Sequence, residues 1–277
     1  MRSSFPSAVS LGGAIIALLT GGLASSSQQL PLTSDFVCEH PPYKVHLVSS
    51  SPLVIYITNF LTDQERAHLQ EITKDTFSHS GVQGSSGAKA INRARTSQST
   101  NVPRDTVVRC IEERALLFQG LDTPRTHLEP LQLVKYGRGE HFHFHTDWFP
   151  NPEHARPDAG GNRLSSFFVY VRVDPGTTGG GTNFPAVDAP AGNGNGSSSS
   201  SRWCEAGFVD CDEPWDAGVT FRPVEGNAVF WRNLLPGGGG DDRTLHAGLP
   251  VTSGGKIGMN IWTREGPVSE KVRGPDV

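Results

Sequence analysis

The segment Glu140-His141-Phe142-His143-Phe144-His145-Thr146-Asp147 gathers three of the chain's ten histidines into five positions, alternating with aromatic residues. Read as a strand, its period of two puts His141, His143, His145 and Asp147 on one face and the phenylalanines on the other. On a buried face, three imidazoles and a carboxylate are unfavourable without a cation. An exposed polar edge would carry the same spacing. Two histidines and one carboxylate on one face of an octahedron leave three positions open, the ligand set of a non-haem iron(II) oxygenase that takes a bidentate 2-oxo acid and O2. His145-x-Asp147 supplies two of these ligands. His246, in Thr244-Leu245-His246-Ala247-Gly248, is the only histidine after His154 and the candidate for the third.

A 2-oxo diacid such as 2-oxoglutarate brings a distal carboxylate that must be neutralised inside a largely apolar pocket. Lys256 lies ten residues beyond His246, across the turn Thr252-Ser253-Gly254-Gly255, so a hairpin brings both into one cavity. A lone lysine is ordinarily a solvated surface residue; this spacing and the apolar residues around it favour the pocket.

With those residues in place, the chain resembles the prolyl 4-hydroxylase family of Fe(II)/2-oxoglutarate-dependent dioxygenases over roughly Val54 to Arg264. The matching pattern is Tyr136-x-x-Gly139 leading to His145-x-Asp147, then Gly180-Gly181-Thr182-x-Phe184-Pro185 and Gly226-Asn227-Ala228-Val229-Phe230-Trp231. It closes with His246-x-Gly248-x-Pro250-Val251-x-x-Gly254-x-Lys256 and Trp262-x-Arg264. The resemblance implies an α+β fold, a double-stranded β-helix (jelly-roll) core with helices packed on one sheet. It implies His145, Asp147 and His246 as iron ligands and Lys256, Tyr136, Thr182 and Trp262 around 2-oxoglutarate, with O2 as second co-substrate and ascorbate as reductant. Arg95, Thr96, Ser97, Glu129 and Arg163 match positions near the substrate channel; a surface salt bridge or a strand-end hydrogen bond is the alternative for each. In one respect the chain departs from the family: Phe142 stands where a substrate-facing tyrosine is common. That leaves the iron chemistry intact and puts specificity for peptidyl proline in question. A small-molecule hydroxylase using the same iron, and a non-catalytic metal- or ligand-binding β-helix module, are the competing functions.

The elements that must position these residues are readable in outline. Leu53 to Ile57 alternates as a first strand, and Thr62-Asp63-Gln64-Glu65 is a capping box that should open a helix to about Thr76. Residues 78–103 read as a surface loop leading to a strand. Asp105 opens a second helix that Gly120 should end. From Pro130 onward, residues 131–136, 164–173, 219–222, 228–233 and 257–263 are β-rich. Helices first and strands after suggest helices on one face of a sandwich or barrel. Two low-complexity inserts, 191–202 and 236–242, read as mobile surface loops.

Residues 1–24 read as a secretory signal peptide or an uncleaved signal anchor, residues 25–50 as an extended lead-in, 51–266 as the dioxygenase domain and 267–277 as a tail. That N-terminus implies the secretory pathway, the endoplasmic reticulum lumen or secretion, with membrane contact only through the anchor. Cys38, Cys110, Cys204 and Cys211 fit an oxidising lumen, where an even count pairs fully. Cys204 and Cys211, seven apart in a segment without its own period, should bridge each other; three connectivities are formally open. Asn195-Gly196-Ser197 is a glycosylation sequon. A net charge of −4 and a pI near 6.2, with no long basic run, give no footprint for nucleic acid. The partner is a peptide or small-molecule substrate; the oligomeric state is not legible.

Overall fold

The structure, a computed structural model, describes residues 36–80, 95–120, 122–188, 200–212 and 218–274. The strands β1 (Lys44–Ser50) and β2 (Leu53–Thr58) precede helix α1 (Asp63–Thr73), and β3 (Ser78–His79) and β4 (Gln98–Asn101) precede α2 (Thr106–Gln119). Then come β5 (Gln132–Tyr136), β6 (Phe142–His145), β7 (Arg163–Val173), β8 (Thr178–Gly179) and β9 (Thr182–Phe184). After α3 (Ser200–Glu205) follow β10 (Val219–Phe221), β11 (Ala228–Arg232), β12 (His246–Gly248), β13 (Val251–Ser253), β14 (Lys256–Arg264) and α4 (Glu270–Arg273).

An eight-stranded sheet has the order β1-β2-β11-β7-β14-β5-β4-β3, a four-stranded sheet the order β10-β9-β12-β6, and β13 pairs with β8. This is the expected α+β arrangement around a double-stranded β-helix. The period of two along β7 divides the core: Phe167, Val169 and Val171 join α1 and α2 on one face of the large sheet, while Phe168 and Tyr170 join Phe184 and Phe221 of the small sheet on the other.

Helices α1 and α2 begin, and α2 also ends, where local chemistry dictates, while α1 stops at Thr73, short of the expected Thr76. Thr62 Oγ1 accepts from the Glu65 amide at 3.2 Å, and Glu65 Oε2 accepts from the Thr62 amide at 2.9 Å, a complete capping box. Asp105 caps α2 through the Val108 amide at 2.9 Å, and Gly120 ends it with φ of 62°, a left-handed turn that glycine adopts without steric penalty. Glu65 has a second role. Its carboxylate accepts two bonds, at 2.7 and 2.8 Å, from Arg114 of α2, both side chains being 1% exposed. Arg114 also donates to the carbonyls of Phe60 and Glu39, and the Cys38–Cys110 disulfide fixes the same stretch of chain to α2.

Several boundaries differ from those read in the sequence. Residues 44–50, assigned to the lead-in, form edge strand β1, because His46 and Val48 find a core to face while Val45 and Leu47 stay exposed. The supposed tail returns to the domain: the Val268 amide donates to the Thr126 carbonyl, Arg104 donates to the Arg273 carbonyl, and Arg273 is buried. The glycine run at 236–242 is a closed turn in which the Leu235 amide donates to Gly239 and the Asp241 amide to Asn233. Gly240 lies flat against the Trp148 indole; a Cβ there would meet the ring carbons at 2.2 Å. Cys204 and Cys211 are bridged as expected, and no cysteine is free. The signal segment, the sequon and most of the 191–202 insert lie outside the described residues. Among the described residues, no helix is long and apolar enough to cross a membrane.

Arg114→Leu should strand the Glu65 carboxylate in the core and lower unfolding stability by roughly 3–5 kcal/mol. Equilibrium denaturation measures this; a loss below about 1 kcal/mol, the scale of an exposed pair, would show that the pair is not the junction between the helices.

Candidate metal centre and co-substrate pocket

Backbone pairing of β12 with β6 sets His246 directly opposite His145. Asp147 follows two residues after the end of β6. The His145 Nε2 lies 3.8 Å from Asp147 Oδ1 and the His246 Nε2 3.9 Å from Asp147 Oδ2, and the three ligand atoms fall within 4.8 Å of one another. Each imidazole is oriented from behind: His145 Nδ1 is 2.8 Å from the His143 carbonyl and His246 Nδ1 2.9 Å from the Thr244 carbonyl. An imidazole that donates through Nδ1 presents the Nε2 lone pair, which a metal requires. Two imidazoles and a carboxylate, converging with the other ring nitrogens engaged, fit a divalent iron. The other described cluster, Cys38, His40 and Cys110, has its sulfurs tied in a disulfide.

The expected face alternation of β6 does not hold. Between the pairs His246↔His145 and Gly248↔Phe142 the register shifts, so the three residues 246–248 of β12 span the four residues 142–145 of β6. This bulge turns Phe142 to the same side as His145, and the rings stack with centroids 3.6 Å apart at 22°. His143 and Phe144 face outward instead. His141 sits at a turn, its Nδ1 3.3 Å from the Gly139 carbonyl.

Around the triad, charge and burial act together. Burial and the neighbouring His246 push His145 well below the ordinary imidazole range, so it is neutral. Burial raises the Asp147 carboxyl, but His246, His145 and Arg163 outweigh it and hold the group ionised, below its usual range. Trp262 Nε1 donates to Asp147 Oδ2 at 3.0 Å, so this residue, expected beside 2-oxoglutarate, holds the carboxylate. On the Trp262 face, 3.6 Å from its centroid, lies the Arg163 guanidinium, which grips Glu129 through two bonds of 2.8 Å. Arg264 reaches the same carboxylate at 3.4 Å. Glu129 and Arg163 are thus a half-buried pair behind the Asp147 carboxylate, and Arg163's fork is already occupied.

Lys256 begins β14 opposite Tyr136 of β5. It is 2% exposed, donates to the Gly180 carbonyl, and lies 4.7 Å from the Tyr136 ring, 5.3 Å from Phe168 and 5.9 Å from Tyr170. No carboxylate accepts from it among the described residues. Burial alone pushes its amine down to about 7. Burial raises Tyr136 to about 12, so it keeps its phenolic proton as a donor. Thr182 is buried beside them with its hydroxyl 2.8 Å from the Tyr170 hydroxyl. Gly181 is required here, because a Cβ would sit 2.4 Å from Thr220 Cγ2. Arg95 closes another side: its guanidinium is 4.6 Å from the Phe142 centroid, Nε donates to Ser97 Oγ at 3.2 Å and Nη2 to Gln132 Oε1 at 3.4 Å.

The structure therefore gathers His145, Asp147, His246 and Trp262 into one cluster, and Lys256, Tyr136 and Thr182 into a second on the same face of the large sheet. Spacing alone does not single out Phe168, Tyr170, Phe184 and Trp231. Phe184 stacks on His246 at 5.3 Å and Trp231 meets its edge at 4.7 Å. The signal for them is the alternation of β7 and β11, which sends every second side chain toward the small sheet.

Comparisons with known proteins point to one family. The profile of the 2OG-Fe(II) oxygenase superfamily matches residues 131–264. A probable prolyl 4-hydroxylase 10 of Arabidopsis thaliana is 30% identical over 224 residues, covering 79% of this chain and 71% of its own. A probable prolyl 4-hydroxylase 4 of the same plant is 29% identical over 243 residues, covering 87% and 76%. The crystal structure of a viral collagen prolyl hydroxylase from Paramecium bursaria Chlorella virus-1, in complex with 2-oxoglutarate, shares the fold with a TM-score of 0.52 and 22% identity, over 83% of this chain and 99% of that one.

Trp262→Phe keeps the ring under Arg163 and removes the bond to Asp147. Fe(II) affinity should fall by roughly 10- to 100-fold, the usual effect of losing such a supporting bond. Anaerobic iron titration is the check, and an unchanged isotherm would remove Trp262 from the support of Asp147.

Proposed function

The chain belongs to the prolyl 4-hydroxylase family of 2OG-Fe(II) oxygenases, a dioxygenase dependent on Fe(II), 2-oxoglutarate and O2, and from that premise we propose that it hydroxylates peptidyl proline at the site built around His145, Asp147 and His246. The observation that carries this reading is the meeting of that triad with a buried lysine that lacks a described carboxylate partner. When bound, iron supplies O2 activation coupled to decarboxylation of 2-oxoglutarate to succinate and CO2, with transfer of one oxygen atom to a substrate carbon.

The chain's own residues prepare for that chemistry. His145 and His246 offer Nε2, and Asp147 a carboxylate that Trp262 steadies. The Lys256 ammonium neutralises the distal carboxylate of 2-oxoglutarate, with Tyr136 donating its phenolic hydrogen. Thr182 contributes through its bond to Tyr170. Phe168 and Tyr170 exclude water from the lysine, which strengthens the charge pair. Arg95 and Ser97, both with donors beside Phe142, are the residues for a peptide carbonyl. Glu129 and Arg163 act from behind Asp147 and Trp262. Peptidyl proline as substrate rests on the relatives' names; Phe142, lacking a tyrosine's hydroxyl, favours a small-molecule substrate as the second reading. The paired cysteines suit work in the secretory pathway, with ascorbate as the reductant to supply in assays.

Incubation of the protein with Fe(II), 2-oxoglutarate, ascorbate, O2 and a panel of proline-containing peptides and small molecules tests the reading. Substrate-dependent succinate together with 4-hydroxyproline in a peptide is the expected result; succinate driven only by small molecules would transfer the activity to the second reading. Alanine at His145, Asp147 or His246 should abolish product, while alanine at His141 or His143 should retain iron and decarboxylation.

The lysine carries a pH signature. Below about 7 it is protonated and ready for the dianion; above that, the free protein has lost the proton and must take one up to bind. Calorimetry in buffers of different ionisation enthalpy should record roughly one proton taken up per 2-oxoglutarate at pH 8 and almost none at pH 6. Lys256→Ala should raise the 2-oxoglutarate requirement at least roughly a hundredfold with Fe(II) binding retained. Uptake that does not change with pH would mean that the amine is charged in the empty protein.

A further inference from the structure

We propose that Phe142 is a positioning residue for the iron ligand His145, acting through the face of its ring. The two histidine ligands are supported unequally. His246 has a side chain 7% exposed, with Phe184 stacked on it and Trp231 against its edge. His145 has a side chain 23% exposed and one hydrogen bond behind it, to the His143 carbonyl. A single bond at Nδ1 fixes where that nitrogen sits but leaves the ring free to turn about the bond, which swings Nε2 away from the other ligands. A flat ring 3.6 Å away at 22° blocks that turn.

The placement of Phe142 is itself built. The bulge opposite β12 brings it beside His145. An isolated bridge pairs its backbone with Arg95, whose guanidinium, itself held by Ser97 and Gln132, packs on the Phe142 ring. A residue that only filled space here would be replaceable by any side chain of similar volume. Stacking requires a flat ring, and no hydroxyl. In this chain the ring therefore serves the metal ligand, a role separate from any contact with substrate.

This inference rests on His145 being an iron ligand, so the experiment includes His145→Ala. The probe is Fe(II) alone, titrated anaerobically into the metal-free full chain against a chromogenic chelator, with a thermal melt of each metal-free variant. His145→Ala losing stoichiometric iron upholds the ligand assignment; its retention would sink that reading and this one with it. With the assignment upheld, Phe142→Leu and Phe142→Met should each weaken Fe(II) by roughly two- to tenfold, the factor to which one aromatic pair amounts. Phe142→Tyr should stay within about twofold of the parent, since it keeps the ring. At saturating iron, substrate-free decarboxylation should return to the parent rate in all three, which separates a lost ligand orientation from a damaged fold. Leucine and methionine variants that bind iron like the parent, or a tyrosine variant as weak as they are, would overturn the proposal. If the leucine variant melts early, the methionine and tyrosine pair decides alone.

Discussion

The backbone ladder between β6 and β12 is the constraint on which the site depends. His145 and His246 are 101 positions apart in the chain, yet they stand opposite each other because two short strands pair there. Asp147 is brought in by the same strand end, and the bulge in the same ladder brings Phe142. One pairing thus brings together the three candidate ligands and the ring stacked on His145. The large sheet builds the candidate co-substrate end of the site, where β14 and β5 place Lys256 against Tyr136 and β7 supplies Phe168 and Tyr170 around the lysine.

Charges in this interior are arranged so that each has a defined partner or a defined need. Asp147 is held ionised by histidines, Arg163 and the Trp262 N–H. Arg163 is neutralised by Glu129, so it stabilises the carboxylate nearby without remaining an unpaired buried cation. Lys256 combines burial with the lack of any described counter-charge, and its lowered amine pKa follows. A buried cation with no described counter-charge suits a diacid such as 2-oxoglutarate, whose second carboxylate can pair with it.

Much of this is legible in the sequence because it is carried by local chemistry. The capping box at Thr62 and Glu65, the Asp105 cap, the Gly120 end and the His145-x-Asp147 spacing need only neighbours, whereas the hairpin expected between His246 and Lys256 is absent, because β12 pairs with β6 and β9, β13 with β8 and β14 with β5 and β7. What is not legible depends on long-range register. Alternation in His141 to His145 suggests three histidines on one face, and the bulge that breaks it is set by β12, about a hundred residues away. Glu129 and Arg163 read as surface or channel residues because nothing in their neighbourhood reveals that Trp262 will lie flat on the guanidinium. The edge strand β1 is hidden because an edge strand buries one face only, leaving Val45 and Leu47 outside and its pattern weak.

The contact between Gly240 and the Trp148 indole has a consequence for how such a chain can diverge. Trp148 adjoins Asp147, and a turn that looks like featureless spacer presses against it with no room for a Cβ. Sequence drift in that turn is therefore not neutral at its last glycine: any side chain there displaces an indole one peptide unit from the carboxylate of the triad. Gly238 answers to a different restraint, its φ of 87° being a conformation that side chains rarely adopt. Selection for a retained metal would purge changes at Gly240 while tolerating them at Gly237 and Gly239, where a Cβ meets nothing within 4 Å and the backbone is ordinary. Within a run of four identical residues, heredity should guard one for the metal and one for the turn, and leave the other two to chance.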